Sequence, residues 1–382
     1  MSKDAKNVPA LRFKGYSDAW EKRKLGELAE FINGRAYKQD ELLASGKYPV
    51  LRVGNFYTND NWYYSDLELP EKYYAEKGDL LYTWSATFGP HIWIGPKVIY
   101  HYHIWKVALK NLFEKDFALQ FFEADRVRLL NSTNGSTMIH VTKKDMESKG
   151  ILLPDISEQR NIGEFLRKAD DLIAATQHKI DALEQTKKAL LQRLFDQSWR
   201  FKGYSDPWEK RKLGEVATIT MGQSPDSKNY TLNPQDHILV QGNADIKNGW
   251  VEPRVWTTQI TKIAKKGSVL LSVRAPVGEV SKTAFDVVLG RGVASVGQTD
   301  FLYQYLITLK INGFWLRYST GSTFDSINSA DIKDAIIFLP KKNEQDRIAK
   351  TLNCIDSLIA ATQSRLSSLE LLKKALLQAL FI

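Results

Sequence analysis

Cysteine is nearly absent: Cys354 is the only one, so no disulfide can form within the chain and no thiolate set can hold zinc. That points to a reducing, cytoplasmic setting. Long apolar runs are missing too. Nothing is long enough to cross a bilayer, and Met1 to Ala10 carries charges without an apolar h-region, so neither a membrane span nor a signal peptide is expected. Catalytic signatures are lacking as well. There is no Walker A loop, no dinucleotide GxGxxG and no GxSxG elbow. The methyltransferase tetrapeptide [N/D/S]-P-P-[Y/F/W] is approached only by Ser224-Pro225-Asp226, which fails, and no acidic pair with a short-spaced lysine marks a nuclease centre. The six histidines are His91, His101, His103, His140, His178 and His237. His101 and His103 alternate on what reads as one strand face, but no carboxylate or cysteine pattern completes a metal site. No catalytic residue and no metal are expected.

What is present is basic and globular. Lysine and arginine number 53 against 44 acidic residues, a net charge of +9, which favours a polyanionic partner through counterion release. Apolar residues at 43% and aromatics at 11% exclude disorder, and 382 residues suit two or three domains.

The main signal is an internal repeat. RFKGYSDAWEKRKLGE, Arg12 to Glu27, returns as RFKGYSDPWEKRKLGE, Arg200 to Glu215, with Ala19 replaced by Pro207. LLPDISEQRNI (Leu152 to Ile162) resembles FLPKKNEQDRI (Phe338 to Ile348); LIAATQ recurs at Leu172 and Leu358, and KKALLQ at Lys187 and Lys373. Between these matched ends the halves diverge. Only echoes persist: Gly54-Asn55 with Gly242-Asn243, Phe88-Gly89 with Val277-Gly278, and Gly135-Ser136-Thr137 with Gly321-Ser322-Thr323. One frame written twice with unlike contents suggests two similar folds that read different things.

Each half ends in a heptad pattern. Ile162, Leu166, Ala169, Ile173, Thr176, Ile180, Leu183, Lys187, Leu190 and Leu194 step by four and three. The second copy runs Ile348, Leu352, Ile355, Ile359, Thr362, Leu366, Leu369, Lys373, Leu376 and Leu380 in the same phase. Thr176/Thr362 and Lys187/Lys373 interrupt both seams at matching places, where polar residues can specify register. Such helices extend on the order of 50 Å at 1.5 Å per residue, and Pro154 and Pro340 stand just before them. Equal seams suit two helices packed antiparallel on each other; packing of each on its own domain is the rival arrangement.

The regions of about 20 to 150 and 208 to 337 read as mixed α/β. Val50 to Val53, Asp79 to Thr83, His237 to Val240 and Ser268 to Val273 are strand-like, and helices are expected at Lys115 to Leu130 and Phe301 to Tyr318. Basic and amide side chains beside the turns are the candidate DNA contacts: Arg35, Lys38, Arg52, Asn55, Lys143 and Lys144 in the first half, and Gln223, Gln241, Asn243, Arg274 and Arg291 in the second. Arg and Lys suit guanine edges, Asn and Gln adenine edges. Backbone amides at Gly135, Ser136 and Thr137 and at Gly321, Ser322 and Thr323 suit phosphates. The aromatics Tyr57, Trp62, Tyr63, Tyr64, Tyr73 and Tyr74 read first as packing and only second as a stacking surface for bases.

The Leu-Pro and Glu-Gln lead-ins (Leu153-Pro154, Glu158-Gln159; Leu339-Pro340, Glu344-Gln345), the LIAATQ and KKALLQ segments and the WEKRKLGE segments at Trp20 and Trp208 resemble the specificity subunits of type I restriction–modification systems, over essentially the whole chain. The resemblance implies an α+β fold: two tandem target recognition domains, each followed by a long helix, with the helices forming an antiparallel coiled-coil spacer. The segments would be 1–155, 156–198, 199–340 and 341–382. It implies that each recognition domain reads half of a bipartite site on double-stranded DNA. Two methylation subunits would bring S-adenosylmethionine, and restriction subunits ATP, magnesium and cleavage, leaving this chain without a cofactor. The repeat adds one expectation: Lys6 to Ala19, the copy of the segment that follows the first helix, should pack near Leu376 to Ile382 and make the chain pseudo-circular. A self-contained duplicated methyltransferase or nuclease, and a coiled-coil adaptor with no DNA role, are the competing readings.

Overall fold

The computed structural model describes residues 8–381 apart from 58, 86, 133–140 and 319–325. It forms two compact units, Met1–Thr176 with Arg365–Ile382, and Gln177–Ser364. Each unit thus takes one globular domain and one half of each long helix, a different division from the chain-order segments 1–155, 156–198, 199–340 and 341–382.

In the first unit the charged segment Glu21–Lys24 pairs antiparallel with Gly150–Leu153. The strand that opens the domain is thereby zipped to the strand that leaves it. All four of its residues are exposed, while Ile151 and Leu153 opposite reach the core, so charge on the outer strand blunts an edge. Two four-stranded sheets lie between. One has the order Ala29–Asn33, Ile104–Leu109, Leu80–Thr83, Gly89–Ile92; the other has Tyr63–Ser65, Tyr48–Leu51, Val98–Tyr100, Tyr74–Ala75. The helix Lys115–Ser132 packs on the first sheet through Phe122, which meets Phe31 and Tyr82 edge to face, while Phe117 meets Trp20 and Phe381.

The second unit repeats the plan. Glu209–Lys212 pairs with Ile336–Leu339. Its five-stranded sheet places His237–Val240 beside Val287–Leu289, and its six-stranded sheet places Val269–Ser272 beside Val293–Val296. The helix expected over Phe301 to Tyr318 stops at Ile311 and resumes as a short 3-10 turn, Phe314–Tyr318. Gly313, at φ +66°, supplies the left-handed residue that ends it.

The long helices run Ile156–Phe195 and Lys342–Phe381. The first begins six residues before the seam, because Asp155 caps it: its Oδ1 accepts the amides of Ser157 at 2.8 Å and Glu158 at 3.0 Å. Every seam position of both helices is buried or half-buried. In the first unit Ile162 and Leu166 share a core with Leu377 and Leu380. In the second, Leu191 and Leu194 share one with Ile348 and Leu352. Rising numbers on one helix meet falling numbers on the other, so within each unit the helices pack antiparallel. Each pair also lies on the unit's globular core, which joins the two arrangements posed above as alternatives. The amino-terminal segment lies where the repeat placed it: the Leu11 amide donates to the Ala379 carbonyl at 3.2 Å, and Phe13 packs against the core that contains Leu377 and Leu380.

The repeated motifs are joints. Arg12 forks onto Glu158 with two bonds of 2.8 Å, and Trp20 Nε1 donates to the same carboxylate at 3.2 Å. Arg200 forks onto Glu344 at 2.9 and 2.6 Å. Gln159 and Gln345 each donate to the carbonyl of the nearby proline, Pro154 and Pro340, at 2.9 Å. Glu158 is 0% exposed and Glu344 2%, so each carboxylate depends on its arginine for compensation. Glu158→Ala leaves Arg12 and the Trp20 indole without this carboxylate and is expected to cost about 1.5–3 kcal/mol, the range for hydrogen bonds to charged groups. A thermal melt that matches the unchanged chain contradicts this.

Candidate nucleic-acid interface

One backbone frame recurs in both units. Val50 and Leu51 pair in parallel with Ile99 and Tyr100, as Leu239 and Val240 pair with Val288 and Leu289. The amide just after each second strand returns to the first: His101 to the Leu51 carbonyl at 2.9 Å, Gly290 to that of Val240 at 2.8 Å. Trp84 donates to the His103 carbonyl, and Val273 to that of Gly292. Gly34 donates to Ile104, and Gly222 to Val293, each at 3.0 Å. Only glycine fits at these two crossings, since a Cβ would stand 2.4 Å from the carbonyl oxygens of Tyr100 and His101, or 2.1 Å from that of Gly290.

In the second unit this frame gathers four candidates, Gln241, Asn243, Arg274 and Arg291, around a cleft of about 340 Å³ with Ser224 and Ser272. Buried Asp245 fixes the turn at its edge by accepting the amides of Gln241 at 2.7 Å and Gly242 at 3.3 Å. The Gln241 side chain donates to Tyr230 Oη at 3.0 Å and Asn243 to the Pro276 carbonyl at 3.3 Å, which aims both amides. The Arg291 amide donates to Ser224 Oγ at 3.1 Å. Arg274 and Arg291 are exposed, and among the described residues neither makes an ion pair, so both forks face solvent. Gln223 is exposed but does not line the cleft; its carbonyl accepts the Thr261 hydroxyl.

The first unit spends its candidates locally. Arg35 forks onto Glu41 at 2.9 and 2.6 Å and lies over the Tyr37 ring; the pairing holds the Glu41 carboxyl down to about 2. Arg52 covers the Tyr63 ring at 4.3 Å and donates to the Asn61 carbonyl at 3.0 Å. Asn55 accepts the Arg52 amide and donates to the carbonyls of Asn59 and Asn61, so it ties a turn. Lys38 is exposed at the start of the 3-10 turn Gln39–Glu41. Lys143 and Lys144 lie on the short helix Lys143–Ser148 beside Leu25–Leu28, and Lys143 faces Glu147 at 3.5 Å. Neither shares a hydrogen bond with Arg35, Arg52 or Asn55 among the described residues. Gly135, Ser136 and Thr137, and Gly321, Ser322 and Thr323, fall outside the described residues.

His101 and His103 do not alternate on a strand, because the strand begins at Ile104. His101 makes an isolated bridge with Arg35, and Tyr102-His103 forms the turn that follows. Their rings stand 4.9 Å apart, and among the described residues no group of three or more His, Cys, Asp or Glu is gathered as metal ligands. Of the singled-out aromatics, Tyr74 is buried, Trp62 packs on Trp93 and Tyr63 lies under Arg52, while Tyr57 is exposed beside His91. The turn at Tyr102 escaped the sequence reading, because only strand register reveals its place.

Comparison with known proteins gives a consistent result. The family model described as "Type I restriction modification DNA specificity domain" matches residues 17–185 and again 205–371. The chain is similar to the putative type I restriction enzyme MjaX specificity subunit of Methanocaldococcus jannaschii, 26% identical over 94% of this chain and 92% of that protein. It is also similar to the EcoBI specificity subunit of Escherichia coli, 22% identical over 87% and 78%. Among solved structures, the S subunit of a type I restriction–modification system from M. genitalium shares the fold at a TM-score of 0.67 and 15% identity, covering 98% of this chain and 99% of that one.

Two histidines make the first unit acid-sensitive. Burial, followed by the charge of Arg126, lowers His91 to about 4; burial, then His103 and Arg52, lowers His101 to about 4. The unfolded chain takes up these protons near 6.5 and the fold resists until about 4, so their contribution is complete above pH 6.5 and declines as pH falls toward 4. Melting temperature should drop across that window, and His91→Gln should flatten the drop. An equal acid slope in the variant contradicts the assignment.

Proposed function

Because the chain belongs to the type I restriction modification DNA specificity family, we propose that it reads a bipartite, asymmetric site on double-stranded DNA, one half with each recognition unit. The observation that carries this is the pairing of a common frame with unlike side chains. Gln241, Asn243, Arg274 and Arg291 line the cleft of one unit, where the other carries Arg52, Asn55 and a ring-lined turn. A coiled-coil adaptor would have no need for matched frames with different surface chemistry. Gln223 and Arg35 stand beside these contacts, with Arg35 orienting Tyr37 and Glu41 instead of a base. Lys38, Lys143, Lys144 and the Gly-Ser-Thr segments at 135–137 and 321–323 take the phosphates and set register.

The paired helices set the distance between half-sites, as dimer geometry does for other DNA readers. Their solvent faces dock two methylation subunits. Leu172 and Leu358, at the same place in the two LIAATQ segments, are 49% and 48% exposed, apolar surface in matched positions that suits two copies of one partner. S-adenosylmethionine belongs to those partners, and ATP and magnesium to restriction subunits; this chain supplies the address and not the chemistry. Among the described residues no helix is long and apolar enough to cross a membrane, and the reading places the complex in the cytoplasm with its DNA.

The test is methylome sequencing of cells that carry the chain with its methylation subunits. A bipartite adenine-methylated motif is expected, and replacing residues of about 20 to 150 with those of a relative should rewrite one half of it only. A motif that changes in both halves, or methyl transfer by the lone chain from labelled S-adenosylmethionine, refutes the reading.

A further inference from the structure

We infer that the turn His101-Tyr102-His103, backed by Trp84, is the base-discriminating element of the first recognition unit, reading through aromatic rings where the second unit reads through guanidinium groups. The inference rests on the DNA-reading role above and adds the residues and their chemistry. The correspondence comes from backbone register. His101 and Gly290 both donate to the last residue of the neighbouring parallel strand; Ile104 and Val293 both close the turn onto those residues, at 2.9 and 3.2 Å. His103 and Gly292 accept from Trp84 and Val273. Tyr102 therefore occupies the place of Arg291, at the tip of the same turn, and it is 38% exposed.

The flanks explain the difference in chemistry. Gly290 and Gly292 leave Arg291 on a bare loop that opens onto the cleft. His101 and His103 instead put rings against Tyr102, with centroids 4.5 and 3.9 Å away, and Trp84 stands 5.0 Å from His103 and 6.0 Å from Tyr102. The Trp84 indole donates to the Tyr102 carbonyl at 2.9 Å and holds the turn against the sheet. Burial keeps His101 uncharged near neutral pH. The Tyr102 phenol at the tip has no guanidinium fork and cannot make the paired donation by which arginine selects guanine. It can make the apolar contact that selects a base pair carrying a thymine methyl in the major groove.

The experiment uses the full chain with its methylation subunits. Tyr102→Ala should relax one position of one half-site by about tenfold, within the discrimination that a single base contact supplies, with the other half-site unaltered. Tyr102→Arg should bring guanine to that position. Replacing thymine by uracil there should weaken binding several-fold for the unchanged chain and have no effect on Tyr102→Ala. Because Tyr102 lies at a surface turn, melting curves are expected to overlay, and Trp84→Phe gives a second variant that keeps the ring but loses the indole bond. A motif untouched by Tyr102→Ala overturns the inference while leaving the two-reader function standing. A relaxed position that is a G·C pair also overturns it. If the unchanged chain directs no bipartite motif, the underlying function fails instead.

Discussion

A lysine placed in an apolar seam must find a partner or lose its hydration uncompensated, and this demand fixes how the long helices meet. In the second unit Lys187 reaches Asp356 at 2.5 Å, and in the first Lys373 reaches Asp170. Each aspartate is also held by a buried glutamine of the globular domain, Gln120 to Asp170 and Gln304 to Asp356, both at 2.8 Å. One carboxylate thus receives bonds from the other helix and from the domain's own short helix. A slip of either helix would strand the lysine in the seam beside alkyl side chains, at a penalty that buried unpaired charges incur and leucines do not. Polar residues in a seam are costly, and their return is a single register.

The same logic runs through the repeated motifs. Arg12–Glu158 and Arg200–Glu344 tie the segment before each domain to the helix after it. Gln159 and Gln345 tie the helix to the proline that precedes it. None of these groups is free to meet DNA. The buried polar groups of the matched segments are consumed by internal bonds, whereas the unlike part emerges at the turns above the parallel strand pairs. Duplication of the joints with divergence of the turns is what allows one architecture to present two chemistries.

Much of this was legible from the residues. The seam positions are buried because a four–three spacing on a helix leaves few other ways to cover leucine, and Lys187 and Lys373 stood out because they broke both seams alike. The strands near Val50, Leu81, Leu239 and Leu271 follow from short, largely apolar runs between turn residues, within two residues of the observed ends. Base-contact candidates were far less legible. Residue type states what Arg35 and Asn55 can bond, but not that Glu41 and three backbone groups have already claimed them. Arg274 and Arg291 offer the same kind of side chain and meet the opposite fate, because among the described residues no carboxylate pairs with them. The helix boundary near Ile311 was missed because Asn312-Gly313 is a weak break in a strongly apolar stretch, and a left-handed glycine is decided by tertiary packing.

Tyr102 shows where sequence comparison ends and geometry takes over. Its neighbours share nothing with Gly290-Arg291-Gly292, and no alignment of side chains would place them together. Hydrogen bonds of the main chain do, since sheet register depends on strand pairing and on glycines at the crossings, Gly34 and Gly222, and not on what the turn carries. A backbone that specifies its own register leaves the turn's side chains free to vary without cost to the fold. The two readers can therefore diverge from aromatic to guanidinium chemistry while the helices, the joints and the strand pairs that carry them stay the same.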